Sequence, residues 1–237
     1  MSGLTPDHRV RVPLSAQVWD RVTFLHYRAG ADDLDRLLPD GLEPDTCDGS
    51  AWVSFTPLIM REVRPTVLPP VPGWSTFVEL NIRTYVRDHA GRDGLWFFAL
   101  DCPRHVMVWG LRPLGLPYRH RPGSFRVEET RPDSESVHYS LGRGVARRDL
   151  DVQVGAAIED QSRLDVFLTG RWNAYTTRFG RLCRVPAAHE PWRLHQADVD
   201  GSLLSVPLES RLPLLDEPPL VHFSPGVHAR LGAPRLA

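Results

Sequence analysis

The stretch Phe77-Val78-Glu79-Leu80-Asn81-Ile82-Arg83-Thr84-Tyr85-Val86-Arg87 has the clearest periodicity in the 237-residue chain. Apolar or small side chains stand at every second position, with charged, amide or aromatic side chains between them. Because successive side chains of a β-strand point to opposite faces, this period of two predicts one long strand with two chemically different faces. One face suits a core, and the other presents Glu79, Asn81, Arg83 and Tyr85.

Short strands are predicted along most of the chain, because the 22 prolines leave few segments that could hold a long helix. Segment 95–101 is nearly all apolar, so we expect it to pair with 77–87 as a hairpin buried on both faces. The proline-rich segment 61–73 has no period and is predicted to be a loop. Other strands are expected at 23–27, 50–60, 125–130, 136–141, 152–158, 172–177, 182–185, 197–204 and 220–227.

Three short helices complete the predicted set, at 31–38, 103–114 and 162–170. The last begins with Ser162 and has Asp165 three residues on, the spacing of a capping box. Many short strands in sequence, separated by turn signals, favour a closed or nearly closed barrel. The fold class is therefore predicted to be mainly β (α+β), with a few short helices. No repeat or break in composition divides the chain, so residues 1–237 are expected to form a single domain.

The charged residues exclude several classes of protein. The chain has 28 basic and 29 acidic residues and a net charge of -1, so nothing attracts it as a whole to nucleic acid or to anionic membranes, and neither is expected as a partner. All 28 basic residues are arginines, and lysine is absent. Schiff-base chemistry on a lysine, the Walker phosphate loop and the kinase lysine are thereby excluded.

Cysteine usage and hydropathy bear on the compartment and on cofactors. Segment 1–12 has no apolar core and no run of 18 uncharged apolar residues occurs, so a cytoplasmic protein is expected. Cys47, Cys102 and Cys183 are far apart and odd in number, which argues against a disulfide framework and against structural zinc. We expect these thiols to be reduced and partly buried. No metal site and no organic cofactor are predicted.

Motifs spread along the whole chain are shared with a known group of proteins. They are Trp19…Phe24-Leu25-His26-Tyr27, Leu38-Pro39-Asp40-Gly41-Leu42, Asp48-Gly49-Ser50-Ala51-Trp52-Val53, the 77–86 strand, Leu116-Pro117-Tyr118, Phe167-Leu168-Thr169-Gly170-Arg171-Trp172…Tyr175, His189-Glu190-Pro191-Trp192 and His222-Phe223-Ser224-Pro225-Gly226-Val227. This set resembles the YqjF-like bacterial family of unknown function, which looks like a branch of the acetoacetate decarboxylase-like superfamily. The resemblance implies a β-barrel around a small-molecule cavity, in agreement with the strand pattern.

The resemblance also shows what this chain lacks. Decarboxylases of the superfamily have a helix ending in arginine and then Pro-Lys-Lys, in which one lysine forms the Schiff base and the other lowers its pKa. Aligned in this way, Arg112 precedes Pro117-Tyr118-Arg119, and both lysines are missing. Arginine cannot replace the nucleophile because its guanidinium stays protonated, and the only other primary amine is the N-terminus. Imine-forming decarboxylation is rejected, which leaves an electropositive pocket for a carboxylate or an enolate.

The polar face of the 77–87 strand supplies the main candidate site. If it points into the barrel, Glu79, Asn81 and Arg83 follow one another at intervals of about 6 to 7 Å, a spacing that suits a small organic acid. Arg83 could grip a carboxylate, Asn81 or Tyr85 could donate to an oxyanion, and a desolvated Glu79 could serve as a general base. The alternative is a solvated face on which Glu79 and Arg83 merely pair across the strand, or a buried structural ion pair between them.

Further candidates come from two other segments. The resemblance places Tyr118 and Arg119 at the superfamily's reactive position, with Arg112 just before them, so one of the two is expected to line the cavity. The alternative for both is a turn after Pro117. Arg171 follows a predicted helix end and could lie at the cavity mouth, or it could pack in the core.

Two classes of function remain open at this stage. The favoured one is a non-catalytic barrel that binds a small keto, hydroxy or aromatic acid. The other is a lyase, isomerase or hydratase, with Glu79 as general base, Tyr118 as a second catalytic candidate, and Arg83 or Arg119 stabilising an enolate or carboxylate. A small molecule is the expected partner in either case. The sequence leaves open whether copies of the chain associate.

Overall fold

Strands dominate the architecture, as the prolines and the alternating pattern predict. The computed structural model describes residues 3–6, 8–131 and 134–237, without the side chains of 129–131, 134, 208 and 209. The strands are β1 (Ser15–Ala29), β2 (Leu42–Pro44), β3 (Ala51–Pro65), β4 (Phe77–Asp88), β5 (Asp93–Cys102), β6 (Tyr118–His120), β7 (Gly123–Arg131), β8 (Ser134–Leu141), β9 (Arg148–Ala157), β10 (Asn173–Arg178), β11 (Arg181–Ala188), β12 (His195–Asp200), β13 (Leu220–Leu231) and β14 (Arg235–Leu236).

The helices are few and short. They are α1 (Ala31–Asp35), α2 (His105–Leu111), α3 (Arg163–Thr169) and α4 (Val206–Glu209), with 3-10 turns at Arg112–Leu114, Gly144–Ala146 and Ser202–Ser205. The helix predicted at 162–170 corresponds closely to α3. The helix predicted at 103–114 covers both α2 and the 3-10 turn that follows it. The sequence did not predict α4 or the short strands β2, β6 and β14, because elements of two to four residues carry too little periodicity to be recognised.

Seven strands form a hydrogen-bonded ring in the order β11, β10, β5, β4, β3, β1 and β13. Pairing of β13 with β11, where Leu231 lies opposite Ala187, closes the ring. Strands β12, β9, β8 and β7 continue from β13 as a second layer. This layer packs over the outside of the ring, where Tyr139 and Leu150 join Leu25 in the main core. The predicted mainly β fold class is confirmed.

The long strand β4 separates its two faces as its sequence predicts. Val78, Leu80 and Ile82 are buried in the core between the ring and the second layer. The alternate positions, including Glu79 and Arg83, face the interior of the ring. Antiparallel pairing with β3 on one side and β5 on the other holds β4 in the middle of the sheet. Its polar residues are therefore buried by the surrounding strands.

A β-bulge changes which residues of β5 face the interior. Ala99 lies opposite Ile82 and Phe97 lies opposite Arg83, so Phe98 is one extra residue in the ladder. Phe97 and Leu100 both line the interior although they are three positions apart, which strict alternation forbids. The run of apolar residues in β5 hides this irregularity in the sequence.

A second bulge lies in β1, where the register with β3 shifts between Asp20 and Leu25. Arg21 adopts a left-handed backbone with a φ of 46° inside this segment. As in β5, the extra residue brings Trp19 and Val22 to the same side of the strand, and both line the ring interior. The strand predicted at 23–27 begins after the bulge, so the inward position of Trp19 is not evident from the sequence.

Helix α3 closes one end of the ring. Its capping box is complete, because the Ser162 hydroxyl accepts from the Asp165 amide while the Asp165 carboxylate accepts from the Ser162 amide. The helix is tied to the ring at its other end, where the Tyr85 hydroxyl donates to the Leu168 carbonyl at 2.9 Å. The predicted helix start is confirmed, and Leu168 packs against Tyr85 and Leu95 of the ring strands.

The predicted ends of one strand and one helix are wrong. Strand β3 continues to Pro65, so the segment predicted as a loop from residue 61 begins later, because pairing with β1 extends as far as Ser15 opposite Pro65. Helix α1 ends at Asp35 rather than at residue 38, and Leu37 is exposed as a result. Tertiary pairing in the first case and a short turn in the second override the local pattern.

The cysteines are consistent with the predicted reduced thiols. Cys47, Cys102 and Cys183 are all buried and unpaired. Within the described ranges, no helix combines the length and the apolar character needed to span a membrane.

Candidate functional site

The interior of the ring contains a cavity of about 140 Å³. A cavity of about 150 Å³ is large enough to hold benzene, so a molecule of similar size fits here. Most of the wall is apolar, with contributions from Trp19, Phe24, Phe97, Leu100 and Trp192. The polar side chains on the wall include Glu79, Asn81, Arg83, Tyr118, Arg171 and His189. An apolar chamber with a few polar groups is the usual form of a small-molecule site.

Arg83 is the most unusual residue of this cavity. Its side chain is buried, and the guanidinium lies 5.4 Å from the centre of the Phe24 ring. It donates to the Tyr85 hydroxyl, but its Nε has no hydrogen-bond partner and no carboxylate pairs with it among the described residues. Burial lowers the pKa of Arg83, since desolvation disfavours the charged form. A buried guanidinium without a counter-ion is a strong electrostatic site for an anion.

Glu79 and Tyr118 form a second polar group on the wall. Burial raises the pKa of Glu79 to about 8, with a hydrogen bond from Tyr118 opposing the rise and the charge of Asp101 adding to it. At neutral pH the Glu79 carboxyl therefore holds its proton. Its Oε2 atom has no partner within the described part of the chain. The carboxyl is available as a hydrogen-bond donor to a molecule in the cavity.

Asn81 lies between these two groups on the same face of β4. Its side-chain Oδ1 is buried without a hydrogen-bond partner among the residues described. Glu79 and Arg83 are only 3% and 9% exposed, so the alternative of a solvated polar face is wrong. Glu79 and Arg83 form no ion pair with each other in the part of the chain that the structure describes, so the alternative of a buried structural ion pair is wrong as well. The three polar residues instead form a row of unsatisfied groups along the cavity wall, which we call the polar row.

Arg171 also borders the cavity, but it is fully partnered. Its guanidinium pairs with Asp45 at 2.6 Å and with Asp93 at 3.3 Å, and its Nε donates to the Phe167 carbonyl at 2.9 Å. Asp45 in turn pairs with Arg87 at 2.9 Å. These residues separate the cavity from an outer cleft. Arg171 is buried and its charge is already compensated, so its surroundings fit the alternative of packing in the core.

A histidine surrounded by tryptophans also lines the cavity. The His189 ring lies 5.3 Å from Trp19, 4.4 Å from Trp172 and 4.8 Å from Trp192, measured between ring centroids. Burial lowers the pKa of His189 to about 4, and the charge of Arg83 contributes to the decrease. The ring is therefore neutral at pH 7. Its Nε2 atom is buried and has no partner in the described residues.

Comparison with known proteins places the chain in a family. A family model described as an uncharacterized conserved protein (COG2071), the DUF2071 family, matches residues 16–228. The uncharacterized protein YqjF of Bacillus subtilis (strain 168) is 31% identical over 216 residues, which cover 88% of this chain and 86% of YqjF. The chain belongs to the DUF2071 family.

Solved structures share the fold of this DUF2071 chain. The enduracididine biosynthesis enzyme MppR, complexed with the condensation product of pyruvate and imidazole 4-carboxaldehyde, superposes with a TM-score of 0.69 at 17% identity, over 97% of this chain and 92% of MppR. An acetoacetate decarboxylase-like enzyme from Sphingomonas wittichii RW1 gives 0.68 at 14% identity, over 98% and 95%. These likenesses establish an acetoacetate decarboxylase-like fold for the DUF2071 chain.

Not every predicted site residue reaches the cavity of the DUF2071 protein. Tyr118 faces it, whereas Arg119, the next residue of β6, points to the outside and pairs with Asp101 at 2.6 Å. Arg112 is exposed on the 3-10 turn after α2. Of these three candidates only Tyr118 lies at the cavity wall, so Arg119 and Arg112 are corrected as candidates for ligand binding. For Arg119 the reason is strand alternation, since Tyr118 and Arg119 lie on opposite faces.

Tyr85 belongs to a hydrogen-bonded network beneath the cavity rather than to its wall, which corrects its predicted role in binding. The Tyr85 hydroxyl donates to Leu168, so it accepts from the Ser54 hydroxyl, 2.6 Å away. The Ser54 oxygen is then an acceptor for His26 Nδ1, also at 2.6 Å, which assigns the proton to that nitrogen. Through Tyr85 this chain of hydrogen bonds holds Arg83 in place.

A second buried histidine adjoins the network. The rings of His26 and His222 lie 5.4 Å apart, and His222 Nε2 contacts the Asp165 carboxylate at 3.0 Å. Burial lowers the pKa of both histidines, in His26 with help from the charges of His222 and Arg83, while Asp165 opposes the decrease in His222. Both rings are neutral at pH 7. The sequence shows them only as members of family motifs.

Proposed function

We propose that this protein binds a small organic acid in the ring cavity, with the ligand carboxylate on Arg83. The observation that carries the proposal is the buried, uncompensated guanidinium of Arg83 on the cavity wall. A carboxylate brings two acceptor oxygens to this guanidinium and supplies the missing counter-charge. The rest of the ligand then lies against apolar wall, between Phe24 and Trp192 on one side and Leu100 on the other.

The size of the cavity and the fold support this class of ligand. A volume of about 140 Å³ suits acids with a short carbon chain or one small ring. MppR, which shares the fold, has been seen complexed with pyruvate. Because the 237 residues contain no lysine, the ligand is held without a lysine Schiff base.

A thermal-shift experiment tests the proposal with propionate, pyruvate and lactate as probes. A ligand at 100 times its dissociation constant stabilises a protein by about 2.7 kcal/mol, which raises the melting temperature by about 5–10 °C at this chain length. Arg83→Met removes the charge and keeps most of the aliphatic stem. We expect it to abolish the shift.

Arg119→Met is the matched control, because its guanidinium lies outside the cavity on Asp101. This variant should keep the full ligand-induced shift. A shift that survives in Arg83→Met would place the acid elsewhere and overturn the proposal. The absence of any shift with the three acids in the unmodified protein would overturn it as well.

Proton transfer at carbon is a second candidate function, favoured by Glu79 in the cavity. Its carboxyl is buried, bonded to Tyr118 and raised in pKa to about 8, a value suited to moving protons near neutral pH. In the enolisation of a bound 2-oxo acid, the C3–H bond breaks, its electron pair stays with the substrate as an enolate, and Glu79 takes the proton. This step requires the ionised carboxylate.

Exchange of the methyl protons of pyruvate in deuterated water tests this second candidate by NMR. The ionised fraction of a group with a pKa of about 8 rises about tenfold between pH 7 and pH 9, so the protein-dependent exchange rate should rise by the same factor. Glu79→Gln should bind pyruvate and catalyse no exchange. Equal exchange by Glu79→Gln and the unmodified protein would leave binding as the function.

A further inference from the structure

His189 presents a bare acceptor nitrogen to the cavity. Its Nδ1 lies 2.6 Å from the Glu190 carbonyl oxygen, which can only accept, so Nδ1 carries the ring proton. In the neutral ring the lone pair is then on Nε2. That atom is buried and has no hydrogen-bond partner among the described residues, and His189 lines the cavity.

The two tryptophans nearest to the ring cannot satisfy this lone pair, because their indole donors are already used. The Trp172 indole donates to the Gly3 carbonyl at 3.0 Å, and the Trp192 indole donates to the Thr169 carbonyl at 3.1 Å. The same tryptophans clamp the His189 ring and fix its orientation. A buried acceptor costs free energy until a donor reaches it, so the donor is expected from the occupant of the cavity.

We infer that His189 Nε2 accepts a hydrogen bond from a hydroxyl or enol group of the ligand, which selects hydroxy acids over acids that carry no such donor. This inference rests on the proposed function, since it takes the carboxylate on Arg83 as given. It narrows the ligand to a molecule with two features, an anionic group for Arg83 and a hydroxyl for His189. A simple 2-oxo acid supplies only the first unless it enolises.

Two properties of the site support this division of roles. Arg83 and His189 line the same cavity of about 140 Å³, and the charge of Arg83 helps to lower the pKa of His189, so the two groups are within electrostatic range of each other. A short ligand can therefore reach both residues. The low pKa of His189, about 4, keeps Nε2 unprotonated across the neutral range. The nitrogen thus stays an acceptor at the pH at which an acid ligand is ionised.

Calorimetric titration with a matched series of acids tests the inference. Propionate, lactate and pyruvate share three carbons and a carboxylate, and only lactate carries a hydroxyl. We expect lactate to bind about fivefold to tenfold more tightly than propionate, the gain typical of one hydrogen bond to a buried acceptor. His189→Phe keeps an aromatic ring among the tryptophans and removes the acceptor. It should bind the two acids with equal affinity.

Two further variants separate the acceptor from other effects of substitution. His189→Gln places a carbonyl oxygen near the position of Nε2 and should recover part of the preference for lactate. His195→Phe is the matched control, because His195 Nδ1 also contacts a backbone carbonyl, that of Gly155 at 3.2 Å, but the residue does not line the cavity. This variant should keep the full preference.

The possible results distinguish this inference from the proposed function. If all three acids bind equally and Arg83→Met abolishes their binding, the proposed function stands and the role of His189 is wrong. The same conclusion follows if His189→Phe still prefers lactate. If none of the three acids binds the unmodified protein, the proposed function fails and this inference fails with it.

Discussion

Arg83 and Arg171 both have buried guanidinium groups beside the same cavity, yet their surroundings differ sharply. Arg171 pairs with two carboxylates, those of Asp45 and Asp93, and packs 4.1 Å from the centre of the Phe167 ring. Among the residues that the structure describes, Arg83 has only the Tyr85 hydroxyl and the face of Phe24. The two side chains are similarly buried, but the charge of Arg171 is compensated and the charge of Arg83 is not.

We interpret the difference as one between a structural cation, Arg171, and the proposed binding cation, Arg83. Removing one partner of a buried ion pair leaves the other charge unpaired. The pairs of Arg171 with Asp45 and Asp93 therefore stabilise the fold. A buried charge without a partner costs free energy in the empty protein and is repaid when an anion binds. Residues retained at such a cost are typical of functional sites. The predictions below test this contrast by substitution.

The largest effect is expected for Arg171→Met. The substitution leaves Asp45 and Asp93 without their common partner, and the free energy of unfolding should decrease by about 3 kcal/mol. Urea denaturation followed by tryptophan fluorescence measures it. Arg87→Met is the control, because Arg87 pairs with the same Asp45 but is more exposed, and it should cost clearly less. Equal losses in the two variants would show that burial of Arg171 does not matter.

The next largest effect is expected on the pH dependence of the free energy of unfolding, through Glu79. Its pKa is raised from 4.5 to about 8 on folding, so the folded protein binds the proton more tightly than the unfolded chain. Stability from this group is complete below pH 4.5 and is lost as the pH rises through 8. Between pH 6.5 and 8 the free energy of unfolding should fall by about 2 kcal/mol. The histidines with lowered pKa act below pH 6.5, where they oppose this trend.

Urea unfolding at pH 6.5 and pH 8 measures this slope in the unmodified protein and in Glu79→Gln. The glutamine is neutral at both pH values, so its variant should show little change between them. Glu43→Gln serves as the control, because Glu43 is the exposed residue of β2, and it should keep the slope. A slope that persists in Glu79→Gln would mean that another group causes it, and the polar row would lose its protonated member.

Much of the fold follows from the sequence because one long strand has a clear alternation of apolar and polar residues. The alternation over 77–87 predicts both faces of β4, and the Ser162 and Asp165 spacing predicts the start of α3. The bulges in β1 and β5 could not be predicted. They depend on how two strands pair across the ring, and a run of apolar residues such as segment 95–100 fits either register equally well.

The candidate site was predictable only in part for the same reason. Glu79, Asn81 and Arg83 lie on one strand, so local alternation is enough to group them. His189 reaches the cavity from the segment after β11, and its role depends on three tryptophans from distant parts of the chain. The only signal in the sequence was its place in the His189-Glu190-Pro191-Trp192 motif. Strand β6 is too short to be recognised in the sequence, so the sequence does not show that Arg119 faces away from the cavity.

A smaller effect is expected for Tyr118→Phe. The hydrogen bond from Tyr118 lowers the pKa of Glu79, so its loss should raise that pKa further and reduce stability by about 1 kcal/mol at pH 8.5. Unfolding at several pH values measures both changes. Arg119→Met changes the next residue, on the outer face, and Asp101 keeps Arg121 as a partner. It should leave the pH dependence unchanged, and a matching shift in both variants would argue against the Tyr118 contact.

The smallest effect on stability is expected for Arg83→Met, and it is the most decisive for the contrast with Arg171. No carboxylate among the described residues depends on Arg83, so the substitution replaces a buried, uncompensated charge with an apolar side chain of similar length. The free energy of unfolding without ligand should change by less than about 1 kcal/mol, and a small increase is as acceptable as no change. A loss as large as that of Arg171→Met would show that Arg83 is a structural cation. A stable variant that no longer responds to acids would show that its charge is kept for the ligand.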